Sequence, residues 1–79
     1  MDEDLHQRIT ALVAEEHELR RAHGSDGLDD DDRVRLRRLE EGLDRTWDLL
    51  RQREARRAAG LDPTQAHERS ADVVEGYLE

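Results

Sequence analysis

The chain has 79 residues and a net charge of −8, with 43% of its residues charged and 34% hydrophobic; this excludes a large core and predicts one small domain over residues 1–79. The chain contains no Cys, which excludes disulfides and thiolate zinc sites, and its excess of acid disfavours nucleic acid and anionic membranes as partners. Because no apolar run is long enough to span a membrane and the first residues, Met1-Asp-Glu-Asp, are acidic, we expect a soluble cytoplasmic protein.

The first predicted element is a helix from about residue 3 to residue 23. One mostly apolar stripe recurs along it at spacings of four and three residues, which is the helical period. The stripe consists of Leu5, Ile9, Leu12, Glu16, Leu19 and His23. Val13 flanks this stripe, and Gly24 supplies the stop.

A turn over residues 24–28 precedes a second helix from about residue 30 to residue 59. Asp29 is the predicted N-cap, and Gly60 followed by Pro63 predicts the end of the helix. The second stripe consists of Leu36, Leu39, Leu43, Thr46 and Leu50.

The two stripes are in register as an antiparallel hairpin, in which facing residues have a constant sum of residue numbers. The pairs that sum to 55 are Leu19 with Leu36, Glu16 with Leu39, Leu12 with Leu43, Ile9 with Thr46 and Leu5 with Leu50. We therefore predict an all-α fold built on a coiled-coil-like hairpin. The C-terminal tail, residues 61–79, is predicted to open at Asp62-Pro63-Thr64-Gln65 as a short helix to about Arg69.

One hairpin buries few side chains, so a second copy is expected to pack on it. Trp47 and Leu49 flank the second stripe outside the hairpin contact, and Gly42 weakens its helix unless something approaches it closely. We predict a homodimeric four-helix bundle whose interface residues are Trp47, Leu49, Gly42, Val13 and Tyr77, with the tail covering Trp47 or crossing to the partner. The alternative is a monomer closed by its own tail.

The polar residues of the first helix allow two interpretations. Glu16 is predicted to form a structural ion pair with Arg35 or Arg38; the alternative is a ferritin-like metal site that uses Glu3, His6, Glu16 and His17, since Glu3 and His6 have the Glu-x-x-His spacing of di-iron bundles. No catalytic motif is present, so we predict neither catalytic residues nor a cofactor.

The basic cluster Arg51, Arg53, Arg56 and Arg57 lies where the second helix extends beyond the first. An antiparallel hairpin places the acidic residues 2–4 beside this extension and neutralises it; the alternative is a docking surface for an acidic partner.

Four segments together resemble the small actinobacterial proteins of the domain of unknown function 2630 family: Leu12-Val-Ala-Glu-Glu-His17, Leu43-Asp-Arg-Thr-Trp-Asp-Leu-Leu-Arg-Gln-Arg53, Ala59-Gly-Leu-Asp-Pro63 and Val74-Glu-Gly-Tyr-Leu78. The resemblance spans nearly the whole chain and implies an actinobacterial, cytoplasmic setting, but no assigned activity. A second resemblance, to anti-sigma hairpins that bind cyclic di-GMP, rests on Glu41 and Gln52 and fails at Arg45, Asp48 and Arg56.

The sequence therefore predicts a non-enzymatic, self-associating helical hairpin that serves as an interaction or regulatory module. The expected partners are a second copy and an unidentified protein, with no nucleic acid and no membrane. The alternatives are the ferritin-like metal-binding bundle and an anti-sigma-like protein-binding hairpin.

Overall fold

The computed structural model describes residues 2–23 and 27–78, which are helical with short connections. The α-helices are α1 (Glu3–His23), α2 (Asp30–Ala58) and α3 (Ala71–Leu78), with a 3-10 helix at Pro63–Gln65 between α2 and α3. The helix α1 spans the residues over which the sequence predicts a helix, and α2 ends one residue before the predicted Ala59. Part of the predicted turn, residues 24–26, lies outside the described residues. None of the helices in the described ranges is long and apolar enough to cross a membrane.

Both ends of α2 have the caps that the sequence predicts. At the start, an Asp29 carboxylate oxygen accepts a hydrogen bond from the Asp32 N–H at 2.8 Å. At the other end, Gly60 adopts a φ of 74°, and the N–H groups of Gly60 and Leu61 donate to the carbonyls of Arg57 and Arg56. This pair of bonds is a Schellman motif, which satisfies the last carbonyls of the helix.

The helices α1 and α2 pack as an antiparallel hairpin. Leu5 and Leu50, a pair predicted by the sum of 55, lie in one buried cluster at 3% exposure each. Leu49 belongs to the same cluster at 7% exposure. The prediction that Leu49 lies outside the hairpin contact is therefore wrong, because Leu5 and Ala66 cover this position from within the chain.

The part of α2 that extends beyond the hairpin stripe is clamped by the start of the chain. Arg53 contacts an Asp4 carboxylate oxygen at 3.1 Å, and Arg57 contacts an Asp2 carboxylate oxygen at 2.6 Å. These ion pairs confirm for Asp2 and Asp4 the prediction that the acidic start of the chain lies beside the basic extension.

The tail is helical in a different part from the one predicted. After Asp62 caps the Thr64 N–H, the 3-10 helix lasts only from Pro63 to Gln65, and the α-helix forms later, at Ala71–Leu78. A short helix needs tertiary packing to persist. The helix α3 packs against the hairpin through Val74, whose side chain is only 1% exposed. The segment predicted as helical, 62–69, has no comparable buried side chain.

Candidate interaction surface

Three of the predicted interface side chains remain accessible in the single chain. Val13 is 49% exposed and Trp47 is 42% exposed. The tail therefore does not bury Trp47, although it packs on α2 of its own chain through Val74. Tyr77, another predicted interface residue, is 49% exposed.

Val13 and Trp47 lie along the same edge of the hairpin. Arg20 on α1 and Glu40 on α2 form an ion pair at 3.4 Å across this edge. A step of seven residues returns to the same helical face after about two turns. The step leads from Arg20 to Val13 on α1 and from Glu40 to Trp47 on α2. We call the row formed by Arg20, Glu40, Val13, Trp47, His6 and Glu54 the Trp47 edge.

The side chain nearest to Gly42 belongs to the same chain, and it does not approach the glycine unusually closely. The Leu12 side chain lies over this glycine, and an added Cβ would be 3.5 Å from its Cδ1 atom. That is an ordinary van der Waals distance. The contact with Leu12 therefore leaves room for a Cβ atom and does not by itself require a glycine at this position.

A buried carboxylate that sequence reasoning missed holds the tail on α2. Asp48 is 5% exposed, and Tyr77 donates a short hydrogen bond to it from α3. Gln52 donates to the same carboxylate at 2.9 Å, and Arg69 lies 3.6 Å from it. A buried charge is tolerated when it is paired and hydrogen-bonded in this way. The four-residue spacing of Asp48 and Gln52 is the only sequence signal that could have indicated this network.

The connection between the 3-10 helix and α3 is fastened by further polar contacts. Gln52 donates to the His67 carbonyl at 2.7 Å, and Arg45 donates to the Arg69 carbonyl at 2.9 Å. Glu68 lies between Arg8 of α1 and Arg45 of α2, at 2.6 Å and 3.6 Å. The tail therefore contacts both helices of the hairpin.

Neighbouring charged groups shift the pKa values of carboxyl groups at two places. A hydrogen bond from Arg57 lowers the pKa of Asp2, and a hydrogen bond from Arg53 lowers the pKa of Asp4. On α3 the direction reverses, because a hydrogen bond with Asp44, together with partial desolvation and repulsion, raises the pKa of Glu75. The start of the chain is thus held by attraction, whereas α3 docks against carboxylates.

The described residues do not support the alternative of a metal site. Among residues 2–23 and 27–78, no three His, Asp or Glu side chains are placed to hold one ion. Glu3, His6 and His17 are exposed. Glu16 is half-buried and lies 3.4 Å from Arg20.

The predicted pairing of Glu16 with Arg35 or Arg38 is therefore wrong. The ion pair forms instead with Arg20, because a residue one turn further along the same helix is within reach without crossing the seam. Glu16 consequently does not set the register between the helices.

Several residues of the basic cluster, and the two residues that match the cyclic di-GMP motif, make contacts within the chain. Arg56 donates to the Asp62 carbonyl at 2.6 Å, and the ion pairs above engage Arg53 and Arg57. Glu41 pairs with Arg37 at 3.2 Å, and Gln52 belongs to the Asp48 network.

Fold and contacts define a small all-helical protein: an antiparallel hairpin with a helical tail fastened to it by a buried carboxylate. The chain belongs to the family described as Protein of unknown function (DUF2630), which it matches over residues 1–79. It is 47% identical over 77 residues to Uncharacterized protein Rv0898c of Mycobacterium tuberculosis and to Uncharacterized protein Mb0922c of Mycobacterium bovis, covering 96% of this chain and 88% of each relative. No solved structure matches the chain significantly.

Proposed function

We propose that this chain is a non-enzymatic interaction module that self-associates through the Trp47 edge into a homodimeric four-helix bundle. The observation that carries the proposal is the exposure of Val13 and Trp47, 49% and 42%, on this edge of the hairpin. Aromatic side chains contribute strongly to interfaces because each buries about 150–250 Å². Packing one hairpin edge against another is the usual way in which two hairpins form a four-helix bundle.

The contacts of the buried Asp48 carboxylate support a non-enzymatic role. An acid–base catalyst needs a carboxyl group that can reach a substrate. The Asp48 carboxylate is instead occupied by Tyr77, Gln52 and Arg69 of the same chain. Its polar contacts hold the tail in place, which is a structural task.

Light scattering on a sizing column, over a range of concentrations, tests the proposal. We expect the wild-type mass to be twice the 9.2 kDa of one chain. Trp47→Ser and Val13→Ser should each weaken the dimer, Trp47→Ser by about 2 kcal/mol or more because it removes a central aromatic anchor. The matched control is Val34→Ser, which removes an equally exposed valine (51%) away from the edge and should leave the mass unchanged.

The fluorescence of Trp47, the only tryptophan in the chain, provides a second readout. Its emission should shift to shorter wavelength as the concentration rises through the dimerisation range, because the indole leaves water. A wild-type chain that stays at the mass of one copy at the highest concentrations, with unshifted emission, would contradict self-association.

A further inference from the structure

The helix α3 packs on α2 and leaves a groove on each of its two sides. Glu75 and Tyr77 are two residues apart, which is about 200° around a helix, so they face opposite sides of α3. Each of them lines a separate groove, of about 340 Å³ beside Glu75 and about 360 Å³ beside Tyr77. We call the second one the Tyr77 groove; it is lined by Asp48, Arg51, Gln52, Ala55, Arg69 and Tyr77.

The two grooves differ in charge. Four carboxyl groups and two guanidinium groups line the groove on the other side of α3, namely Glu40, Glu41, Asp44 and Glu75 with Arg33 and Arg37. The Tyr77 groove is lined by two guanidinium groups, those of Arg51 and Arg69, and by the carboxylate of Asp48. Asp48 is only 5% exposed and already accepts hydrogen bonds from Tyr77 and Gln52. The accessible charge of the Tyr77 groove is therefore positive, although the whole chain carries −8.

The two arginines of the Tyr77 groove are held differently. Arg69 lies 3.6 Å from the Asp48 carboxylate, and its guanidinium carbon is 5.9 Å from the centroid of the Tyr77 ring. Arg51 is exposed, and its side chain forms no ion pair or hydrogen bond with residues 2–23 or 27–78. The groove thus offers one guanidinium placed against an aromatic ring and a second one whose five N–H donors are available.

The groove suits a protein segment better than a small molecule. Arg51, Ala55 and Tyr77 are all exposed, so the groove is open to solvent, whereas small-molecule sites enclose most of the ligand surface. Tyr and Arg are enriched in protein interfaces, where they contribute much of the binding energy. A carboxylate of a partner would pair with the guanidinium groups, and an apolar side chain next to it would pack on the Tyr77 ring and the Ala55 methyl group.

We infer that the Tyr77 groove docks an acidic segment of a partner protein, with an apolar side chain of that segment against the Tyr77 ring. This inference goes beyond self-association and uses none of the residues of the Trp47 edge. The helix α2 supplies Arg51 and Ala55, whereas the tail supplies Arg69 and Tyr77, so the groove exists only while the tail is docked. Binding of the partner and docking of the tail therefore stabilise each other.

Titration with a synthetic peptide, followed by nuclear magnetic resonance, tests the inference. The probe repeats Leu-Glu-Glu, and two comparison peptides replace every Glu by Gln or every Leu by Ser. At about 0.15 M salt the screening length is about 8 Å, so the overall repulsion between two acidic chains is weak while contacts in the groove persist. We expect the probe to shift the amide signals of Arg51, Ala55 and Tyr77. Both comparison peptides should bind at least about fivefold more weakly, because they lack either the charge or the apolar contact.

Charge reversal at Arg51 provides the matched variant. Arg51→Glu turns an attraction into a repulsion and should raise the dissociation constant of the Leu-Glu-Glu peptide by between about twofold and thirtyfold. The fold should be unaffected, because the Arg51 side chain has no polar partner in the described part of the chain. Arg38→Glu is the control, since Arg38 is exposed on the same helix and lies about 20 Å along it from Arg51. This variant changes the net charge equally and should leave the affinity unchanged.

Hydrogen exchange in the tail measures the coupling between binding and docking. The Val74 N–H donates to the Ser70 carbonyl in the first turn of α3. The Leu-Glu-Glu peptide should slow the exchange of this amide, because a filled groove holds the tail on α2. An exchange rate that stays constant while the peptide binds would show that binding does not use the docked tail, which overturns the inference.

The remaining outcomes separate this inference from the proposed function. Amide shifts confined to the groove, weakened by Arg51→Glu and not by Arg38→Glu, support it. A Gln peptide that binds equally well, an Arg51→Glu variant that binds as the wild type does, or no shift at the highest soluble peptide concentration overturns it. An Arg51→Glu variant with a reduced mass on the sizing column assigns the groove to a second copy and also overturns it. Trp47→Ser should leave peptide binding unchanged, so a failure of self-association is distinguishable from a failure of this inference.

Discussion

At the scale of single residues, Gly42 lowers the stability of the second helix of the hairpin. A glycine inside a helix costs about 1 kcal/mol relative to alanine. The structure places Leu12 above it, and an added Cβ would stand 3.5 Å and 3.7 Å from the two Leu12 methyl carbons. These are ordinary contact distances, so the position has room for one more carbon atom.

Gly42→Ala should therefore raise the free energy of unfolding by about 0.5–1 kcal/mol, because it gains helix propensity without a clash. Urea denaturation followed by circular dichroism measures the change. Gly76→Ala is the matched control, since Gly76 is also helical and has nothing within 4 Å of the added Cβ. A destabilised Gly42→Ala beside a stabilised Gly76→Ala would show that Leu12 cannot accommodate the methyl group.

At the scale of elements, α3 is held by one apolar contact and one polar network. Val74 supplies the buried side chain, and the Asp48 carboxylate receives Tyr77 and Arg69 from the tail. Glu75 opposes this docking, because it faces Asp44 and its pKa is raised. The attachment of the tail should consequently depend on pH.

The sign of this dependence follows from the raised pKa of Glu75. The folded chain binds the proton more tightly than the unfolded chain, whose carboxyl titrates near 4.5. The stabilisation is thus fully present below about pH 4.5 and is lost as the pH rises through the raised pKa. Glu75→Gln should raise the melting temperature at pH 7, and its advantage over the wild type should shrink as the pH falls towards 4.5.

Thermal melts between pH 7 and pH 4.5 provide the measurement. Asp72→Asn is the control, because it removes the same charge from the first turn of the same helix, where a carboxylate interacts favourably with the helix dipole. This control should lower the melting temperature at pH 7. An advantage of Glu75→Gln that stays constant over the range would refute the repulsion between α3 and α2.

At the scale of the whole molecule, the small core makes stability depend on few side chains. Leu50→Ala removes a side chain that is 3% exposed and should cost about 2–5 kcal/mol, a large share of what a small domain has. Leu61→Ala is the matched control, because Leu61 is 53% exposed, and it should change stability by less than about 0.5 kcal/mol. Denaturant midpoints measure both, and equal values for the two variants would mean that the core lies elsewhere.

The sequence by itself determined the helical hairpin, because the sequence patterns that predict helices and their ends are local or periodic. The stripes of α1 and α2, the Asp29 cap and the Gly60 stop each depend on residues within a few positions of one another. The predicted pairing of Leu5 with Leu50 followed from the spacing alone, since two periodic stripes joined by a short turn can be matched in very few registers.

Tertiary structure decided the position of the tail and the role of its contacts. The burial of Asp48 and the helix at Ala71–Leu78 arise only when the tail folds back on α2. A contact between Asp48 and Tyr77, 29 residues apart, leaves no periodic signal in the chain. For the same reason Leu49, which the helical period places beside the seam, became part of the core, because Ala66 of the returning chain packs against its cluster.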